Sequence, residues 1–210
     1  MKFDSTFGFY AVLTNPLIGY ERMTEILVRH EVRFVQLRMK REPPSRVKAA
    51  AVKLRAITAG TPTRFIVNDY PRIAADVGAD GVHVGQDDMP YSRVREIVGD
   101  DAIVGISTHN PAQVKAARAL PPDYIGIGPV YATSTKAVPD PVLGIRGMKE
   151  MLAEATVPAV VLGGIDLARL PHVLRAGAVN FCMVRPLMRA ERPEILLRRI
   201  FEIREQYFPA

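Results

Sequence analysis

The run Gln36-Leu37-Arg38-Met39-Lys40 sets three polar side chains two residues apart. On a β-strand such residues share a face, so Gln36, Arg38 and Lys40 would project together, with Leu37 and Met39 on the opposite side. Arginine offers a planar fork of donors and lysine a compact charge, which together suit a phosphate or diphosphate. The alternative is a solvated strand end at which both cations simply face water. Two further segments supply carboxylates: Asn68-Asp69, and Gly85-Gln86-Asp87-Asp88. Magnesium is commonly held by one or two carboxylates together with substrate phosphate oxygens. Carboxylates brought beside Arg38 and Lys40 would therefore fit a metal–diphosphate. Asp69 and Asp88 each precede an expected helix, so an N-cap role competes with the metal role.

A second group of residues points to another anion site. Thr133-Ser134-Thr135-Lys136 places hydroxyls around a lysine in a long stretch bounded by Gly128-Pro129 and Ile145, the composition of a loop that grips an anion. Lys136 lies well beyond a strand end, which argues against a buried Schiff-base lysine. Gly163-Gly164 would permit close backbone approach to a phosphate, or merely a tight turn. Ser107 is a hydroxyl donor for a phosphate or a substrate, and His109 is an acid or base or simply a loop residue. His83, inside a strand, is expected to be a satisfied core histidine. No Asp or second His completes a nucleophilic triad with Ser107.

The elements that would carry these residues alternate strictly. Short β-branched or aromatic runs occur near Phe9–Thr14, Phe34–Leu37, Phe65–Asn68, Val82–Gly85, Ile103–Ser107, Tyr124–Gly128, Ala159–Leu162 and Phe181–Val184. Amphipathic stretches lie between and after them, at Gly19–His30, Ser45–Ala59, Tyr70–Val77, Tyr91–Val98, Pro111–Ala119, Gly147–Ala155, Asp166–Arg175 and Pro193–Gln206. Ser45, Asn110 with Pro111, and Asp166 are helix-start signals. Eight strand–helix units predict an α/β protein with a parallel sheet closed as a compact (β/α)8 barrel, in one domain covering 1–210. An open doubly wound sheet is the competing architecture, but no Gly-x-Gly-x-x-Gly follows the first strand. In such a barrel the reactive groups stand at the C-terminal strand ends, where the residues above all fall.

The bulk composition excludes several classes. With 48% hydrophobic and 24% charged residues the chain is not disordered. Cys182 is the only cysteine, so no internal disulfide is possible and a reducing compartment is expected. The segment Met1–Asn15 has no signal-like apolar region and no run is long enough to span a bilayer, so a cytoplasmic protein without membrane partners is expected. The net charge of +6 is spread over scattered Lys and Arg residues, unlike a nucleic-acid footprint. Small phosphorylated molecules are the expected partners, with further copies of the chain left open.

Taken together, Gln36 to Lys40, Asn68-Asp69, the run Gly78 to Asp88, Gly128-Pro129 with Thr133 to Lys136, and Gly163-Gly164-Ile165 resemble the thiamine-phosphate synthase family over nearly the whole chain. That family is a (β/α)8 barrel that joins an aminopyrimidine methyl diphosphate to a thiazole phosphate, with Mg2+, in an SN1-like displacement that releases diphosphate. The resemblance implies that Gln36, Leu37, Arg38, Met39, Lys40, Asn68 and Ser107 bind the pyrimidine diphosphate. It implies Asp69 and Asp88 as Mg2+ ligands, ahead of Asp87. Thr133 and Thr135 would contact the thiazole phosphate, Lys136 the diphosphate, and Gly164, Val184 and Arg185 would hold the thiazole phosphate at the end of the eighth strand. Arg38, Lys40 and Lys136 would carry the catalytic charge neutralisation. Two positions depart from the family: Arg185 stands where a serine is usual, and Tyr70 where an arginine often follows Asn-Asp. A thiazole tautomerase paralogue or a non-catalytic precursor-binding barrel would be expected to lose the metal and diphosphate residues, which are present here.

Overall fold

The computed structural model describes residues 2–133 and 140–209. Eight parallel strands form one sheet in chain order: β1 (Tyr10–Leu13), β2 (Phe34–Leu37), β3 (Arg64–Asn68), β4 (Gly81–Val84), β5 (Ile103–Thr108), β6 (Tyr124–Ile127), β7 (Ala159–Val161) and β8 (Asn180–Phe181). A parallel bridge between Phe9 and Phe181, with the Phe181 N–H donating to the Gly8 carbonyl at 3.0 Å, joins the last strand to the first and completes the barrel. The helices are α1 (Tyr20–Arg29), α2 (Pro44–Thr58), α3 (Pro71–Asp76), α4 (Tyr91–Val98), α5 (Pro111–Ala117), α6 (Gly144–Glu154), α7 (Leu170–Arg175), α8 (Val184–Met188) and α9 (Pro193–Glu205).

Strand periodicity divides the core in two. Val35, Leu37, Phe65, Val67, Val82, Val84, Val104 and Phe181 face outward and are buried under the helices. Tyr10, Val12, Phe34, Ile66, Ile103, Tyr124, Val160 and Cys182 face inward and fill the barrel. Truncating Phe65 or Leu37 to alanine removes a fully buried side chain, a change that costs roughly 2–5 kcal/mol. The inward stripe turns polar toward the C-terminal strand ends, where Gln36, Asn68, His83 and Ser107 replace hydrocarbon. Among the described residues, no helix is long and apolar enough to cross a membrane.

Some local expectations are corrected. The eighth strand stops at Phe181, and Val184, Arg185 and Pro186 begin α8 instead. Proline is tolerated in a first helical turn, where its missing N–H has no intrahelical partner to lose. The turn is fastened to the loop after β1: the Leu17 N–H donates to the Met188 carbonyl at 2.8 Å. Ser45 does not cap α2, because Pro44 with its pre-set φ takes the first helical position and Pro43 precedes it. Asp166 accepts from the Arg169 N–H at 2.9 Å, capping a turn that precedes α7 rather than α7 itself. Asn110 caps α5 as expected, accepting from the Gln113 N–H.

Candidate active site

The C-terminal strand ends surround a cavity of about 590 Å³. Its lining includes Gln36, Arg38, Lys40, Asn68, Asp69, Asp88, Ser107, Thr133, Gly164, Val184 and Arg185. These eleven are all the sequence-derived site residues that the structure describes, except Leu37 and Met39. Leu37 is fully buried and Met39 half-buried against the outer layer, because residues one step out of phase on a strand must face the helices. Their side chains do not reach the cavity. Thr135 and Lys136 lie outside the described residues.

On the β2–β4 side, Lys40 Nζ sits 2.8 Å from Asp69 Oδ2 and 3.7 Å from Asp88 Oδ2. Neither carboxylate is a helix cap. The residues preceding α3 and α4 are Tyr70 and Pro90, and neither makes a side-chain cap hydrogen bond. Asp88 instead accepts from the Gly85 N–H at 2.8 Å, which folds the loop after β4 back toward the cavity. Asp69 has φ of 66°, a left-handed conformation uncommon outside glycine, asparagine and aspartate. Such strain concentrates at functional sites. Burial raises the Asp69 carboxyl to about 6; Lys40 opposes this, and the Asp88 carboxylate beside it adds to the rise. Burial also pushes Asp88 upward, but the hydrogen bonds from Asp69, the Gly85 N–H and Lys40 outweigh it, so Asp88 lies below the ordinary value. Burial lowers Arg38, while Asp69 and Asp88 counteract. Among the described residues no group of three or more His, Cys, Asp or Glu could hold a metal by itself. An oxygen-only pair beside a lysine fits the donor chemistry of Mg2+, which takes one or two carboxylates and completes its shell with phosphate oxygens and water.

Asn68 adds a second observation. It is buried, lines the cavity, and its Nδ2 has no hydrogen-bond partner among the described residues. A buried donor without an acceptor is costly, so one directed at a cavity fits a group the ligand brings.

The opposite rim is built differently. Arg169, Arg185 and Arg189 line it beside Gly163 and Gly164. Arg169 donates to the Gly164 carbonyl at 2.7 Å and stacks over the Tyr131 ring, with its guanidinium carbon 4.9 Å from the centroid. The two glycines have φ of 102° and 63°. A Cβ on Gly163 would stand 2.4 Å from Pro129 Cα, and one on Gly164 2.6 Å from the Ala132 carbonyl oxygen. They are needed because the segment Pro129–Ala132 after β6 runs hard against them, with the Tyr131 N–H donating to the Gly163 carbonyl at 3.0 Å. His109 lies at the same loop base, its Nδ1 2.6 Å from the Gly128 carbonyl oxygen and 3.6 Å from Asp140 Oδ2.

Beneath the cavity floor runs a buried chain of side-chain hydrogen bonds. Gln36 Nε2 donates to the Tyr10 hydroxyl at 3.0 Å, and the Tyr10 and Tyr124 hydroxyls are 2.7 Å apart. Tyr124 lies 3.0 Å from His83 Nδ1, and His83 Nε2 lies 2.9 Å from Ser107 Oγ. Burial lowers His83 to about 4, leaving the imidazole neutral near pH 7. His83 is thus satisfied, as expected of a core histidine, and also lines the cavity. Tyr10, Tyr124, Gln86, Arg169 and Arg189 went unremarked in the sequence reading. Following the inward alternation along β1 and β6, as was done for β2, would have found the two tyrosines.

The thiamine monophosphate synthase family model matches residues 10–187, which span every strand and all of the cavity lining except Arg189. The chain belongs to the thiamine monophosphate synthase family. Thiamine-phosphate synthase from Pelotomaculum thermopropionicum is 40% identical over 79% of this chain and 76% of its own length. That from Halalkalibacterium halodurans is 39% identical over 88% of this chain and 89% of its own. Like these members of the family, the chain is a transferase. The solved thiamine phosphate pyrophosphorylase from Pyrococcus furiosus superposes with a TM-score of 0.87 over 97% of this chain and 98% of that one, at 24% identity, and shares the barrel.

Proposed function

We propose that the protein couples hydroxymethylpyrimidine diphosphate to hydroxyethylthiazole phosphate, giving thiamine phosphate and diphosphate. The observation that carries this reading is the Lys40–Asp69–Asp88 cluster, with Lys40 Nζ at 2.8 and 3.7 Å from the two carboxylates, facing an arginine-rich rim across one cavity. Such a pairing suits two anionic substrates of which one departs as a metal-bound leaving group.

Asp69 and Asp88 would hold Mg2+, which would supply cationic charge against the leaving diphosphate. Arg38 and Lys40 bind the same diphosphate directly, and Lys136 would add its charge to it. Charge accumulates on the departing oxygens as the C–O bond breaks, so these cations act more strongly on the transition state than on the bound substrate. Gln36, Asn68 and Ser107 orient the pyrimidine so that its exocyclic carbon faces the thiazole nitrogen. Thr133, Arg185 and the Gly164 turn hold the thiazole phosphate on the opposite rim, and Thr135 would contact the same phosphate. The electron-rich pyrimidine stabilises its own cation, so no protein nucleophile is required, and none was found in the sequence. Positioning two bound reactants and excluding water from a cation are the protein's remaining contributions.

The test is to mix the protein with both substrates and Mg2+ and assay thiamine phosphate and diphosphate. Formation of both products, abolished by EDTA, is the expected result. A folded protein that forms neither would overturn the reading and leave a tautomerase or a precursor-binding barrel.

A further inference from the structure

The buried chain from Gln36 to Ser107 has a direction, and that direction determines what Ser107 can offer a substrate. Every hydroxyl in it has one proton to give, and a neutral imidazole has one N–H and one acceptor nitrogen. Gln36 Nε2 donates to Tyr10, so Tyr10 passes its own proton to Tyr124, 2.7 Å away. Tyr124 in turn donates to His83 Nδ1 at 3.0 Å, which obliges that nitrogen to be the acceptor and puts the imidazole proton on Nε2. His83 Nε2 then donates to Ser107 Oγ at 2.9 Å, leaving the serine proton for another acceptor.

Tyr10 and Tyr124 are 2% and 1% exposed, and both stand at the cavity lining. Gly105 makes room for the arrangement, since a Cβ there would stand 2.1 Å from Tyr124 Cζ. Both ends of the chain, Gln36 and Ser107, line the cavity.

We infer that Tyr10 and Tyr124 are positioning residues: they hold His83 as the Nε2-protonated tautomer, so that Ser107 presents its hydroxyl proton, and Gln36 its carbonyl oxygen, to the substrate. The bound molecule must then offer an acceptor toward β5 and a donor toward β2. The kinetic consequence rests on the function proposed above; the tautomer itself does not.

The test has two arms. First, the full chain labelled with 15N at the histidine rings has four imidazoles to resolve. His83, assigned by comparison with His83→Asn, should show a protonated Nε2 and a bare Nδ1 in wild type, and a mixture of tautomers in Tyr124→Phe. A wild-type His83 protonated on Nδ1 reverses the chain and overturns the inference, whether or not the protein turns over substrate. Second, Tyr124→Phe should lower kcat/KM about tenfold, as expected for loss of one well-placed hydrogen bond, and lower it no further in a Ser107→Ala background. An equal loss in both backgrounds would mean that Tyr124 acts only through packing, which also overturns the inference. Tyr10→Phe breaks the same chain one link earlier and gives the same two readouts should Tyr124→Phe fold poorly.

Discussion

The two rims of the cavity are charged by opposite designs. The β2–β4 rim mixes signs: Lys40 lies 2.8 Å from Asp69, and Asp88 accepts from a backbone N–H. Its groups sit at or just past strand ends, where the ladder of hydrogen bonds reaches Arg38, whose N–H donates to the Leu13 carbonyl at 2.9 Å. The β7–α8 rim is dominated by Arg169, Arg185 and Arg189, with Asp166 3.9 Å from Arg169, on turns and a short helix held in place by glycine-mediated backbone contacts. A mixed-sign rim can take a cation and an anion together, and it places a titratable pair in the site. An arginine-rich rim suits an anion. The difference predicts that metal binding and its pH dependence belong to one side.

The largest effect should come from Asp88→Ala and Asp69→Asn, each lowering Mg2+-dependent turnover by about 100-fold or more with an unchanged circular dichroism spectrum. Asparagine is the better probe at 69, since it tolerates the positive φ that alanine would resist. Wild-type rates in both variants would break the comparison by removing the metal from this rim. Lys136→Ala should follow, slowing turnover by roughly tenfold if its charge assists diphosphate departure; an unchanged single-turnover rate would exclude that role. On the other rim, Arg185→Ser should raise KM for the thiazole phosphate about tenfold, the scale of one charge-assisted hydrogen bond, while leaving KM for the pyrimidine diphosphate unmoved. An equal rise for both substrates would mean that the rims do not divide the labour.

pH sharpens the contrast. Metal binding needs an ionised Asp69, whose carboxyl is raised to about 6 in the metal-free protein. Mg2+ affinity should therefore fall as pH drops through that value, whereas affinity for the thiazole phosphate should follow only the phosphate's own ionisation. Titration calorimetry at pH 5.5 and 7.5 separates the two. The smallest effect is on stability. Because the folded value of Asp69 lies above the unfolded one, its contribution is fully present below about 4 and is lost as pH rises through about 6. The metal-free Asp69→Asn variant should thus gain in thermal midpoint relative to wild type on going from pH 4 to pH 8. A gain that shrinks over that range contradicts the raised carboxyl.

Much of the β2–β4 rim was legible beforehand because its determinants are local. The alternation Gln36, Arg38, Lys40 states its own face, and Asn68-Asp69 sits where an apolar run ends. The other rim was less legible. Arg185 was read as the end of a strand, but Phe181 is the last paired residue and a proline-tolerant helical turn follows. Arg169 and Arg189 looked like ordinary surface charges, since no spacing rule connects them to Gly163-Gly164. Gly163 and Gly164 were weighed as a phosphate turn or a tight turn, and a further reason for both is the backbone of the segment after β6 pressed against them.

The sequence by itself determined the order of strands and helices, the inward and outward faces of each strand, and hence that polar residues would gather at one end of a barrel. Side-chain periods of two and of about 3.6 are properties of consecutive residues and need no partner to be read. Tertiary structure alone decided which groups meet. Lys40 finds Asp69 and Asp88, and His83 finds Ser107 and Tyr124, only because closing the barrel brings neighbouring strands into register, with Asn68 opposite His83 and Ser107 opposite Gly126. Proton positions and carboxylate affinities follow from that closure, since burial and a specific neighbour, not residue type, set them.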